Sequence, residues 1–224
     1  MKILIADDDR ELSEILNFAL TRAGFEVVSA ADGVQALEMF DSQQPALVLL
    51  DWQMPRMDGL DVCRKLRERS SVPIIMLTVR NHEDDVLRAF EAGADDHVAK
   101  PFSPKQLVAR IRAALRRAGP QAVAELSTGS LRLDPIRHAV IRPDIGTINL
   151  TPLEFRLLHV LAQNRDQVMS PEAIVEQVWG HDEPVGGRTL LKGLVRRVRA
   201  KVDVDPAQPS LIKTVAGVGY LFSS

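Results

Sequence analysis

Five short strand-like runs separated by amphipathic stretches confine the first half of this chain to a parallel α/β sheet. They are KILIA (2–6), EVVSA (26–30), ALVLL (46–50), PIIML (73–77) and HVA (97–99). Apolar positions between the first two recur at helical spacing (Leu12, Ile15, Leu16, Ala19, Leu20), and further helices fit 33–42, 59–69, 82–92 and 104–117. Repeated strand, helix, strand units close with right-handed crossovers, and such sheets take ligands beyond the carboxyl ends of their strands. Asp7, Asp8, Asp51, Thr78 and Lys100 each stand where a strand runs out, so all five are expected on one edge.

Those residue types point to a metal-assisted phosphoryl-accepting site. Asp7, Asp8 and Asp51 would repel one another unless a cation sits among them, and oxygen-only ligation suits a hard cation such as Mg²⁺. Asp51 can attack phosphorus as a carboxylate nucleophile and form an acyl phosphate. Lys100 supplies positive charge for the phosphoryl oxygens and Thr78 a hydroxyl donor, the positioning and neutralisation that phosphoryl transfer needs. Capping of the first helix by Asp8 or Asp9 accounts for one aspartate, not for three in a row.

The 224 residues suffice for two domains, and 46% hydrophobic residues is the composition of a soluble globular protein. No apolar run reaches the length of a membrane span and the N-terminus enters a strand directly, so a cytoplasmic protein without a membrane partner is expected. Cys63, mid-helix among apolar neighbours, reads as a buried structural thiol. Gly119 and Pro120 end the last helix of the first half, which gives domains at 1–117 and 127–224 joined by a linker at 118–126.

The net charge of −2 hides an uneven distribution. Residues 1–117 carry 16 basic and 19 acidic side chains, and the remainder carry 12 and 11. Between Gly186 and Val202 stand Arg188, Lys192, Arg196, Arg197, Arg199 and Lys201 with no acidic residue. This segment reads as a helix over 187–201, anchored by Leu190, Leu191, Leu194, Val195 and Val198 and able to enter the DNA major groove. Antiparallel strands are expected at 131–134, 138–142 and 147–150. A helix starts at Thr151 and Pro152 with Glu154 in its first turn, another spans 171–178, and LIKTVAGVGYLF (211–222) forms a closing hairpin.

The first half resembles the receiver domain of bacterial two-component response regulators through ILIADDD, LLDWQMPRMDG, PIIMLT and GADDHVAKPFSP. The second half, with LTPLEFRLLHVLAQN, VWG and TVAGVGY, is similar to the winged-helix output domain of the OmpR/PhoB class. The resemblance implies a doubly wound five-stranded sheet in the order 2-1-3-4-5, then an α+β winged-helix domain. It also implies phosphorylation of Asp51 by a sensor histidine kinase, and Mg²⁺ or Mn²⁺ held by Asp7, Asp8, Asp51 and the carbonyl of Gln53. Thr78, His97 and Lys100 fall at the switch and phosphate-contact positions, and the Lys100–Pro101 bond is usually cis in the family. Activation implies a homodimer using Glu91, Asp96, Arg110 and Arg112, and double-stranded DNA bound at repeated half-sites. The DNA contacts implied are the six basic residues together with Thr214 and Tyr220, the latter equally placed for packing. RNA polymerase would be met through the loop near 180–187. The resemblance implies no catalysis on outside substrates: an aspartate-nucleophile phosphatase usually has a second Asp where this chain has Gln53.

Several positions depart from the family. His97 replaces the usual Tyr or Phe, and reads either as a titratable switch or as a surface histidine without a switching role. Val79 replaces a small residue, and with His97 it raises the reading that DNA binding is independent of phosphate. Val86 and Gln106 lack the charges of a common dimer pair. Lys192 and Leu194 replace the frequent Asp and His, and Ala216 and Leu221 stand where arginines are common, so wing contact with DNA is expected to be weaker than usual.

Overall fold

Alternation of side chains along the strands decides the architecture of the first half. The computed structural model describes residues 1–79, 83–119, 125–128, 131–180, 187–203, 205 and 211–223, and divides into two compact units, Met1–Arg116 and Arg117–Ser224. The first unit runs β1 (Lys2–Ala6), α1 (Arg10–Arg22), β2 (Glu26–Ala30), α2 (Gly33–Gln43), β3 (Leu47–Asp51), α3 (Gly59–Arg67), β4 (Ile74–Thr78), α4 (Glu83–Ala92), β5 (Asp96–Ala99) and α5 (Pro104–Ala118). Its strands pair in parallel in the order β2-β1-β3-β4-β5.

Ile3, Ile5, Leu47, Leu49, Ile75 and Leu77 point to one face, where Leu16 and Leu20 of α1 and Leu107 and Ile111 of α5 cover them. Leu4, Ala6, Val48, Leu50, Ile74 and Met76 point to the other, beneath Ala36 of α2, Val62 and Leu66 of α3 and Ala89 of α4. A sheet covered on both sides needs apolar residues at every position, which is why β1, β3 and β4 are continuous hydrophobic runs. Cys63 belongs to the second face and is fully buried.

The first three helices begin where aspartates cap them. Asp9 accepts from the Leu12 amide, Asp32 from Val34 and Gln35, and Asp58 from Asp61. Such a cap contributes about 1 kcal/mol. Thus Asp9, not Asp8, is the capping residue of α1. Asp32 also pairs with Arg56, which ties the β3–α3 connection to the start of α2.

The second unit opens with β6 (Leu126–Thr128), β7 (Leu131–Asp134), β8 (Ala139–Arg142) and β9 (Gly146–Asn149), an antiparallel sheet in sequence order. It continues with α6 (Pro152–Gln163), β10 (Val168–Met169), α7 (Pro171–Trp179), α8 (Gly187–Val202), β11 (Ile212–Val215) and β12 (Gly219–Phe222). The last sheet has the order β10-β12-β11. β6 and β10, three and two residues long, were not expected: strands this short carry no periodic signal and exist through pairing with β7 and β12. β6 begins at Leu126, the final residue of the expected linker; residues 120–124 of that linker lie outside the described set. α6 is buried on nearly every side, the pattern of a central rather than a surface helix.

Gly59 opens α3 directly against the backbone of β3, where an added methyl group would overlap the Asp51 carbonyl oxygen. Gly59→Ala is therefore expected to destabilise the first unit by about 1–3 kcal/mol, the usual cost of overpacking. Urea denaturation should show a lowered midpoint with an unchanged slope.

Candidate functional site

Reversal of strand order between β1 and β3 opens a crevice at their carboxyl ends. Asp7 and Asp8 follow β1, while Asp51 and Thr78 are the last residues of β3 and β4 rather than the first beyond them. One carboxylate oxygen from each of Asp7, Asp8 and Asp51 lies within 4.8 Å of the others. Lys100, after β5, places Nζ 2.8 Å from Asp7 Oδ2 and 2.6 Å from Asp51 Oδ1. The Gln53 amide donates to Asp51 Oδ2 at 2.7 Å, and the Asp9 amide to Asp7 Oδ1 at 3.0 Å. Asp7, Asp51 and Thr78 are buried and Asp8 is exposed. The Lys100–Pro101 bond is cis, as the resemblance implies.

These groups line a pocket of about 250 Å³ together with Trp52, Gln53 and Val79. A water takes roughly 30 Å³ of liquid volume, so the space accommodates a phosphoryl group with several waters. Two like charges this close repel by about 3–4 kcal/mol at an effective dielectric constant near 20. Three carboxylates against the single Lys100 ammonium leave two uncompensated negative charges when all are ionised. An all-oxygen donor set with that surplus, open on the Asp8 side, fits a hard divalent cation.

Burial pushes the Asp51 carboxyl above its ordinary range, and Asp7 adds to the rise against the opposing pull of Lys100. For Lys100, burial works against the charge, but the bonds to Asp51 and Asp7 outweigh it and raise the ammonium above its usual value.

His97 is not a surface residue. It is 5% exposed, with its ring edge-on to Phe90 at 6.2 Å. Burial holds its imidazole below the ordinary histidine value, with the Asp96 carboxylate opposing and Arg110 reinforcing that effect. The residues expected at a dimer interface are engaged within the chain: Arg110 Nη1 lies 3.0 Å from Asp96 Oδ2, and Arg112 donates to the Ala23 carbonyl. Glu91 is exposed. Val79, 65% exposed, borders the pocket, and α1 exposes Ile15 and Phe18 beside a larger groove that shares Asp7.

In the second unit the six basic residues separate into different environments. Arg188, Lys192 and Arg196 recur every fourth residue and are exposed along one side of α8. Arg188 pairs with Glu172 at the start of α7. Arg197 is turned inward, its Nε 3.4 Å from Glu154 Oε1, and Lys201 reaches Glu154 Oε2 at 2.7 Å. Arg199 donates to the Ile212 carbonyl and to Thr214 Oγ1 at 2.9 Å, and lies over the Tyr220 ring at 5.9 Å. Tyr220 is 8% exposed, a packing residue at the junction of helix and wing. β11 and β12 form that wing, with Ala216, Gly217 and Val218 exposed at its turn and Lys213 exposed on its strand. The polymerase loop expected near 180–187 falls largely on residues 181–186, outside the described set.

Sequence reasoning gave Glu154 only a place in the first turn of α6. It is 2% exposed and completes a capping box with Thr151 while holding two cations of α8. Burial opposes its charge, yet Arg197 and Lys201, with the bonds from Lys201 and the Thr151 backbone, hold the carboxyl below the ordinary glutamate value. The Thr151 hydroxyl before Pro152 announced the helix start; nothing local disclosed partners more than forty residues away.

A receiver-type α/β domain with an acidic pocket, followed by a winged helix, defines a two-domain regulator that joins a signalling site to DNA. Residues 3–112 match the response regulator receiver domain, and residues 146–222 match the C-terminal domain of transcriptional regulatory proteins. The chain is 47% identical over 219 residues to the DNA-binding response regulator MtrA of Mycolicibacterium smegmatis, covering 98% of this chain and 95% of the relative. It is similar to the crystal structure of DrrB, a Thermotoga maritima OmpR/PhoB homolog, with 32% identity and a TM-score of 0.53 over 100% and 99% of the two chains. A mutant of RitR superposes with a TM-score of 0.77 at 29% identity, over 99% and 98%. The protein belongs to the DNA-binding two-component response regulators of the OmpR/PhoB type, a family whose members work with a histidine kinase and DNA. No helix among the described residues is long and apolar enough to cross a membrane.

The depressed Glu154 carboxyl ties the stability of the second unit to pH. The unfolded chain titrates near the ordinary value of 4.5 and the folded chain below it, so the contribution is complete above that value. It is lost as pH falls through the lower, folded-state value. Thermal unfolding followed by Trp179 emission in a Trp52→Phe background should show a midpoint that drops in this acidic window. Glu154→Gln should flatten the dependence.

Proposed function

We propose that this regulator is switched by a phosphoryl group carried on Asp51. The observation that carries the reading is the convergence of Asp7, Asp8, Asp51 and Lys100 on one pocket. Asp7, Asp8, Asp51 and the Gln53 carbonyl would hold Mg²⁺ or Mn²⁺, which when bound neutralises charge on the phosphoryl oxygens. A carboxylate oxygen of Asp51 forms the new O–P bond as the P–N bond to the kinase phosphohistidine breaks, and the electron pair stays on the imidazole nitrogen. Lys100 turns from the Asp51 carboxylate to a phosphoryl oxygen, and the Thr78 hydroxyl donates to another. Later attack of water on phosphorus restores the carboxylate and releases inorganic phosphate. The groove beside α1 seats the kinase, since its donor must reach Asp51 from a surface continuous with Asp7.

The added negative charge favours a dimer through α4, β5 and α5, in which Asp96, Arg110, Arg112 and Glu91 exchange contacts within the chain for contacts with a second copy. Each unit pair then sets α8 into the major groove at repeated half-sites. Arg188, Lys192 and Arg196 form the outward stripe. Arg197 and Lys201 face Glu154, and Arg199 braces the wing with Thr214 and Tyr220. The inward packing of His97 against Phe90 favours a second reading, in which DNA binding needs no phosphate. Equal affinity for a selected duplex with and without beryllofluoride would support it.

Labelling by acetyl phosphate is expected to require a divalent cation and to vanish in Asp51→Ala. Label retained in that variant would place the acceptor elsewhere.

For α8, affinity for duplex DNA should fall steeply as salt is raised, and Lys192→Ala should reduce the slope by about 0.9, the share of one phosphate contact. An unchanged slope would remove Lys192 from the interface.

A further inference from the structure

Glu154 is more than a helix cap. A capping box works at the protein surface with a single glutamate and a hydroxyl, yet this glutamate is buried beneath α8. Its two oxygens are divided between two cations, Oε1 to Arg197 and Oε2 to Lys201, which stand one helical turn apart. At about 100° per residue, Arg188, Lys192 and Arg196 fall within roughly 80° of one another, and Arg197 and Lys201 lie at least roughly 100° further round. The aliphatic side of α8, from Leu190 to Val198, spans a broad arc that tolerates small rotations by repacking. A charge-assisted hydrogen bond from Lys201 and an ion pair with Arg197, both to one fixed carboxylate and separated along the axis, do not.

We propose that Glu154 is a positioning residue for DNA recognition. It fixes the rotation of α8, and it withholds Arg197 and Lys201 from indiscriminate attraction to phosphate. The proposal rests on the reading that α8 meets DNA with its Arg188, Lys192 and Arg196 stripe. Glu154→Gln preserves shape and the capping oxygen but removes the charge, so both cations are released to turn outward. Binding to unrelated DNA then strengthens, while the outward stripe loses its fixed aim.

The test uses the full-length chain, a duplex selected by the wild-type protein from a random pool, and a scrambled duplex of equal length. Glu154→Gln should steepen the salt slope on the scrambled duplex by about one to two phosphate contacts. It should also lower the ratio of selected to scrambled affinity by roughly tenfold, the size of one mismatched base pair. A slope and ratio equal to wild type would overturn the proposal. Lys201→Gln serves where Glu154→Gln fails to fold. As a tether, Lys201 should leave the slope unchanged and weaken selected binding several-fold, whereas a slope reduced by about 0.9 would make it an ordinary phosphate contact and overturn the proposal. Lys192→Ala separates the two levels: no effect of that variant removes the groove reading itself, whatever Glu154 does.

Discussion

Three carboxylates forced together at the end of a parallel sheet set the terms for the first unit. β1 and β3 are neighbours because apolar side chains on both faces must be buried, and that pairing carries Asp7, Asp8 and Asp51 to one crevice whatever their charges prefer. Lys100 offsets only part of the repulsion through bonds to Asp7 and Asp51. Hydrophobic packing therefore holds an electrostatic arrangement that would not form on its own. The remaining negative charge is what a hard divalent cation fits.

Much of this was legible in the amino-acid order because its causes are local. Continuous apolar runs announced strands covered on both sides, and the residue ending each run was the one placed in the pocket. Boundaries shifted by a residue, so that Asp51 and Thr78 belong to strands, since hydrogen bonding to a neighbouring strand extends a strand beyond its apolar core. His97 eluded the sequence because burial depends on Phe90 of α4, a partner no local pattern names. β6 and β10 eluded it for the same reason: two or three residues become a strand only when another strand is already beside them.

The basic helix shows how a fold redistributes charges that composition lumps together. Six cations in one acid-free segment promise a broad positive surface, and the fold divides them. Arg199 spends its donors on the Ile212 carbonyl and Thr214, joining α8 to the wing, and Arg197 and Lys201 turn toward Glu154. What remains outward is a stripe at fourfold spacing, narrow enough to follow a groove.

The acidic pocket and the Glu154 centre differ in charge balance, and that difference separates a site from a brace. In the pocket, three carboxylates share one ammonium, and Asp8 remains exposed to solvent. Beneath α8, one carboxylate pairs with Arg197 and accepts from Lys201 and the Thr151 backbone, so its charge is fully balanced by cations. A centre short of positive charge gains by admitting a ligand, whereas a satisfied centre gains nothing and instead resists displacement. The same physics that makes Asp51 a place where charge can arrive makes Glu154 a place from which neighbouring charges cannot easily leave.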